Sequence, residues 1–303
     1  MPRKGKKIII LFHENDRGRA HAYVISSLAE YWREKGLRVE YLFGVKEYMP
    51  ADLVIVHVNL SVVPDEYLEF AGRYPAALNS RVKDIRKSSF SDNLVMPGSA
   101  YEGRVIVKSD LNHAGWPELR LNGALFSGRR AYRIFMRRLS HLARGISPGL
   151  SARIKTPLDY RIYDNIGSVP PGCFSSPGLV VEKFLPEKEN GLYHIRYCTF
   201  LGSRMTCTRV ASKEPVIKYS NSISMEIVEP HPDMARLRKK LKFDYGKFDY
   251  TVRDGKAVLL DANITIGKGG GANSAGPGAE ERKRSRIYRA EGIYEYLDPG
   301  GRS

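Results

Sequence analysis

Cysteine is scarce, with Cys173, Cys198 and Cys207 the only three in 303 residues. They form no CxxC pair and are too few for a disulfide framework or a four-ligand zinc site, so a reducing compartment, by default the cytoplasm, is expected. Long hydrophobic runs are missing as well. The longest, Ile8 to Phe12 and Leu53 to Val56, are strand-sized against the ~20 residues of a membrane span. The basic start Met1 to Lys7 runs directly into a strand, so neither a signal peptide nor a transmembrane helix is expected. Acidic residues are in deficit: 33 Asp and Glu face 49 Lys and Arg, giving a net +16. That balance attracts nucleotide phosphates, an acidic substrate, nucleic acid or an anionic membrane surface without choosing among them. No nucleic-acid motif accompanies the basic runs Arg129-Arg130, Arg137-Arg138, Arg236 to Lys242 and Glu281 to Arg289, and charged helices usually face solvent. Gly267-Lys-Gly-Gly-Gly271 lacks the GxxxxGK[ST] spacing of a phosphate loop and reads instead as a substrate loop, with Lys268 as a contact.

What is present is a chain long enough for two or three subdomains, with 42% hydrophobic residues to build their cores. Lys7 to Phe12, an amphipathic stretch Ala20 to Lys35, Gly36 as a stop and Val39 to Phe43 read as strand, helix, strand. Ala51 to Val58 and Pro64 to Tyr74 repeat the pattern, which makes a parallel sheet covered by helices and ending near Asn79. His13 to Asp16, after the first strand, reads either as a substrate contact or as a capped turn. The middle block is α+β: a short helix Ser88 to Val95, a strand Val105 to Lys108, a loop histidine at His113 and a basic helix Gly128 to Arg144. From Leu179 the chain reads as an antiparallel sheet, with strands Leu179 to Phe184, Tyr193 to Leu201, Met205 to Ala211, Lys247 to Val252 and Ala257 to Asp261, and with helices Met234 to Leu241 and, last, near Ile287 to Leu297.

The strongest chemical signal is the hairpin around the turn Arg253-Asp-Gly-Lys256, with Asp249 on one strand and Asp261 and Asn263 two apart on the next. Residues two apart in a strand share a face, so the three oxygen ligands are expected on one face. Oxygen-only ligands suit Mg2+, which takes one or two carboxylates and completes its shell with water and nucleotide phosphates. A second hairpin, Tyr193 to Ala211 with a two-residue turn at Gly202-Ser203, sets Cys198 opposite Cys207 and Arg196 opposite Arg209. Like charges facing across a sheet are unfavourable unless an anion lies between them.

With Val105-Ile-Val-Lys108, Lys87 and Val180-Val-Glu182-Lys-Phe-Leu185-Pro-Glu187 placed in order before the hairpin, the chain resembles the ATP-grasp superfamily from Lys7 to Gly267. The resemblance implies an ATP-grasp fold, α/β and α+β, in three parts: a Rossmann-like pre-ATP-grasp domain (1–80), a central α+β subdomain (81–178) and a C-terminal antiparallel-sheet subdomain with a basic tail (179–303). It implies ATP and Mg2+ between the last two. Lys87 and Lys108 would reach the phosphates. Backbone groups of Lys183 and Leu185, in the strand Glu182-Lys183-Phe184-Leu185, would pair with adenine, and Glu187, or Glu189 in its place, would hold the ribose. Asp249, Asp261 and Asn263 would ligate metal, and Arg196 and Lys247 would act as catalytic cations. The family's Pro-Gly after the asparagine is here Ile266-Gly267, and Lys247 stands where relatives often carry arginine.

The implied reaction is activation of a substrate carboxylate, of a small molecule or a peptide, as an acyl phosphate that an amine or other nucleophile attacks. A polyanionic substrate is an economical use of the +16 charge. Two rival readings are a small-molecule kinase on the same fold, and a basic binder of nucleic acid or another anionic partner with a degenerate ATP site. Homodimers are common in the family.

Overall fold

The structure is a computed structural model and describes residues 5–121, 160–268 and 276–297. The expected basic helix Gly128 to Arg144 and most of the Gly-rich loop, Gly269 to Gly271, lie outside the described residues. The chain forms two compact units, one of Met1–Asp84 with Pro186–Ser303 and one of Ile85–Leu185.

In the larger unit β1 (Lys7–Phe12), β2 (Arg38–Phe43), β3 (Leu53–Val56) and β4 (Ala77–Leu78) form a parallel sheet in the order β2-β1-β3-β4. Residues 8–12 and 53–56 are fully buried, as expected for parallel strands covered on both faces. Helix α1 (Val24–Glu34) turns Ile25, Leu28, Ala29 and Trp32 inward at helical spacing, and α2 (Asp65–Ala71) follows β3. The amphipathic stretch read from Ala20 divides in two: Glu14–Ala22 is a 3-10 helix and the α-helix begins only at Val24. His13 accepts from the Asn15 N–H and Asp16 from the Tyr23 hydroxyl at 2.7 Å, so this segment is a capped turn.

The same unit carries a second, antiparallel sheet. β8 (Glu187–Glu189), β9 (Leu192–Leu201), β10 (Arg204–Ser212), β11 (Ser224–Val228), β12 (Tyr245–Arg253) and β13 (Lys256–Asn263) are ordered β11-β10-β9-β12-β13, with β8 on the end of β9. One core joins the two sheets: Ile8, Ile10, Phe12 and Trp32 cluster with Leu201, Tyr245, Ile266 and Ile293. Each such fully buried side chain contributes about 1.5–3 kcal/mol, which is why residues so distant in sequence fold together. Asn79, in the left-handed region at φ 58°, donates to the Tyr245 carbonyl at 2.8 Å and accepts from the Asp244 and Tyr245 N–H groups. The Trp32 indole donates to the Ala290 carbonyl at 2.7 Å.

In the smaller unit β5 (Val105–Ser109) lies between β6 (Arg161–Tyr163) and β7 (Leu179–Lys183), all antiparallel. The short helix α3 spans Lys87–Phe90 and stops well before Val95. The chain leaves it because Leu94 bridges to Glu182 and the Val95 N–H bonds to the Val181 carbonyl, which lays residues 94 and 95 along β7. Among the described residues no helix is long and apolar enough to cross a membrane.

Candidate active site

The turn of the β12-β13 hairpin places Asp254 and Gly255 at φ 50° and 70°. Both residues are left-handed, the conformation whose twist matches that of paired strands. From this turn the strands pair in order as far as Tyr250 with Leu259, and the next pair is Asp249 with Asp261, so one extra residue, Leu260, bulges out. Without the bulge Asp249 would face Leu260, and Asp261 would lie opposite Phe248 on the other face. The bulge therefore sets Asp249 opposite Asp261 and Lys247 opposite Asn263, four polar side chains on one face.

On that face β12 meets β9 with Asp249 beside Tyr197 and Lys247 beside Thr199. The Lys247 ammonium is 2.9 Å from Asp249 Oδ1 and 4.8 Å from the centre of the Tyr197 ring. Burial, and then the charge of Asp249, hold the Tyr197 hydroxyl in its protonated form well above the usual range. Two carboxylates directly opposite in a sheet repel, and a cation relieves that repulsion. Among the described residues no cluster of three or more His, Cys, Asp and Glu could hold a metal by itself. A pair of carboxylates with an amide oxygen beside them is too small a set for Ca2+ and lacks the nitrogen and sulfur ligands typical of Zn2+, and it fits Mg2+ that completes its shell with phosphate oxygens and water.

The second hairpin has the register read from the sequence: Leu201 faces Arg204, Cys198 faces Cys207 and Arg196 faces Arg209. The anion between the two arginines is the protein's own Glu187. Arg196 reaches its carboxylate at 2.8 Å, Arg209 at 3.0 Å, and the Val252 N–H at 2.9 Å. Burial pushes the Glu187 carboxyl up, and the hydrogen bonds from Arg196 and Val252 outweigh it and leave its pKa below the ordinary value. Arg196 pairs with Tyr250 across β9 and β12, so it sits on the face opposite to Asp249. The structure thus brings Asp249, Asp261, Asn263 and Lys247 together, joins Arg196 to Glu187, and does not join the two sets. Glu189 bonds to Arg209 at 2.5 Å and is itself exposed.

In the smaller unit Lys108, on β5, is nearly buried and its ammonium lies 2.6 Å from Glu182 Oε2 of β7. Ser91 donates to the other oxygen of the same carboxylate. Lys87 is 2% exposed at the start of α3, where Asp110 accepts from the Ser88 N–H and hydroxyl at 2.8 Å each. Burying an ammonium is unfavourable unless a carboxylate or phosphate compensates it, and at Lys108 the Glu182 carboxylate supplies that compensation. At the end of β7 the Lys183 N–H bonds to the Asn93 carbonyl and, just past it, the Phe184 N–H to the Arg104 carbonyl, both at 2.8 Å. The Arg104 guanidinium lies 5.2 Å over the Phe184 ring. Leu185 closes the segment, at the end of this unit.

Sequence reasoning missed Tyr197 and Thr199. The alternation along Tyr193 to Leu201 could have shown that they share a face, but not which face meets Asp249. No family model matches the chain and no curated protein matches it. Solved structures similar to it include D-alanine–D-alanine ligase from Bacillus anthracis, at 11% identity and TM-score 0.47 over 97% of this chain and 96% of that one. The ATP-grasp ligase PsnB, complexed with minimal precursor, Mg and ADP, is similar at 10% identity and TM-score 0.42 over 93% and 97%. The macrocyclase MdnC bound with precursor peptide MdnA, from Microcystis aeruginosa MRC, is similar at 10% identity and TM-score 0.37 over 85% and 91%.

Proposed function

We propose that the protein is an ATP-dependent ligase of the ATP-grasp type, which activates a substrate carboxylate as an acyl phosphate for attack by an amine or another nucleophile. The observation that carries this reading is the bulged hairpin, which sets Asp249, Asp261 and Asn263 on one face beside Lys247. Mg2+ there would neutralise charge on the nucleotide phosphates. Asp249 and Asp261 would hold it with Asn263, while Lys247, already beside Asp249, would stabilise the oxyanion that develops at the attacked carbonyl. Lys108 and Lys87 supply buried cations for phosphate oxygens, and an incoming phosphate would compete with Glu182 for the Lys108 ammonium. The strand from Glu182 to Leu185 supplies the adenine contacts in this reading, and Glu187 or Glu189 the ribose contact. Catalysis then rests on positioning and charge neutralisation, with no protein nucleophile. The three-part domain scheme, a cytoplasmic setting and a small-molecule or peptide carboxylate substrate belong to the same proposal.

The test is thermal stabilisation by Mg-ATP, followed by phosphate release in mixtures of carboxylates and amines. Wild type is expected to be stabilised. Asp261→Ala and Lys108→Ala should lose most of that stabilisation, and Asp261→Ala should lower turnover at least ~100-fold. ATP turnover unchanged in folded Asp261→Ala protein would refute the assignment.

A further inference from the structure

The helix α4 (Ala279–Ala290) follows the metal strand and is dense in charge: Glu280, Glu281, Arg282, Lys283, Arg284, Arg286 and Arg289. Its structure sorts these charges. Glu280 pairs with Arg284, 3.8 Å apart and both exposed. Arg282, Lys283, Arg286 and Arg289 instead line one side of a cavity of about 380 Å³, within the range of small-molecule sites. They recur at i, i+1, i+4 and i+7, and like charges three and four residues apart weaken a helix by a few tenths of a kcal/mol per pair. Among the described residues lining the cavity none is Asp or Glu. Arg289 reaches deepest: it donates to the Thr206 hydroxyl, and burial pulls its pKa below the ordinary arginine value. The floor is β10, which contributes Thr206 and Thr208.

This floor belongs to the face that carries the metal-ligand set. Thr206 pairs with Thr199, which pairs with Lys247, which pairs with Asn263. Thr208 pairs with Tyr197, which pairs with Asp249, which pairs with Asp261. Two polar rows therefore run without interruption from the cavity to the carboxylates. With strands ~4.8 Å apart, β10 lies about 10 Å from β12 along the sheet.

We infer that this cavity anchors an oxyanion, a carboxylate or a phosphate, carried by the substrate about 10 Å from the group that reacts beside Asp249. The guanidinium forks of Arg286 and Arg289 bind such groups with two donors each. The position of the reacting group rests on the ligase reading, whereas binding of an anion in the cavity does not. It selects acidic substrates, which hold one negative group in the cavity while another is activated.

The test is calorimetric titration of triglutamate, of its neutral counterpart triglutamine and of inorganic phosphate into the full chain. The proteins compared are wild type, Arg286→Gln, Arg282→Gln and, as a control on the same helix, Arg284→Gln. Wild type is expected to bind triglutamate or phosphate and not triglutamine; binding of triglutamate alone that depends on Arg286 identifies a carboxylate, and binding of phosphate that depends on Arg286 identifies a phosphate group. Arg286→Gln should weaken that binding at least tenfold, Arg282→Gln severalfold and Arg284→Gln less than twofold. Equal weakening by all three variants, anion binding that survives Arg286→Gln, or no anion binding to wild type would overturn the inference. Mg-ATP stabilisation of the same proteins separates the two readings, because it should persist in Arg286→Gln. Its absence in wild type would defeat the ligase assignment and leave the anion titrations to decide the cavity by themselves.

Discussion

Lowering the pH should destabilise the larger unit through one histidine. His57 is fully buried, with its ring centre 4.9 Å from that of Phe12 and 4.8 Å from that of Tyr23. Burial removes the hydration of the imidazolium and, against the opposing charge of Asp16, lowers the pKa to about 4 from an ordinary 6.5. The folded-state value is therefore below the unfolded one. Between pH 6.5 and 4 the unfolded chain binds a proton that the folded chain does not, so stability falls as pH drops through that window. A gap of about 2.5 units at ~1.36 kcal/mol per unit amounts to roughly 3 kcal/mol by pH 4. At about 2–4 °C per kcal/mol for a unit of this size, that is a fall of roughly 10 °C in Tm. The assay is thermal unfolding by circular dichroism from pH 7.5 to 4, comparing wild type with His57→Phe and with the smaller His57→Leu. Protonation of carboxylates acts on all three proteins and cancels in the difference, which should grow by roughly 10 °C as the pH falls, to the disadvantage of wild type. Parallel profiles for wild type and both variants would refute the reasoning.

Glu187→Gln leaves Arg196 and Arg209 facing each other without the carboxylate between them. It should lower stability by about 3 kcal/mol in urea unfolding, since breaking a buried ion pair strands its partner. A loss under 1 kcal/mol would show that Glu189 and Glu226, which also reach Arg209, suffice. Gly246→Ala would place a methyl group 2.6 Å from the Asn263 carbonyl, and a backbone atom yields only if β13 moves. It should cost about 2 kcal/mol and weaken Mg-ATP binding as well, measured by urea midpoint and nucleotide titration. Wild-type values for both would show that the hairpin gives way freely.

Local pattern made a good part of this protein legible. Uniform apolar runs at Ile8 to Phe12 and Leu53 to Val56 marked buried parallel strands, and the Asp254-Gly255 and Gly202-Ser203 turns fixed where two hairpins fold back, which set the Cys198–Cys207 and Arg196–Arg209 pairs. These are properties of a few consecutive residues, carried by backbone sterics and alternation. Helix α4 begins at Ala279, whereas the sequence pattern marks a last helix only near Ile287 to Leu297, because the charged residues before Ile287 leave little apolar periodicity. A two-residue turn with strict alternation would have parted Asp249 from Asp261, and only the bulge at Leu260 brings them together. Which face of β9 carries Arg196, and that Glu187 rather than a ligand fills the gap between the arginines, depended on how β8, β9, β10 and β12 pair. Packing alone joined residues 1–84 to 186–303, through Asn79 and the core around Trp32, Leu201 and Tyr245. Contacts between segments distant in the chain leave no local signal, because their energy comes from burial that exists only after the segments have met.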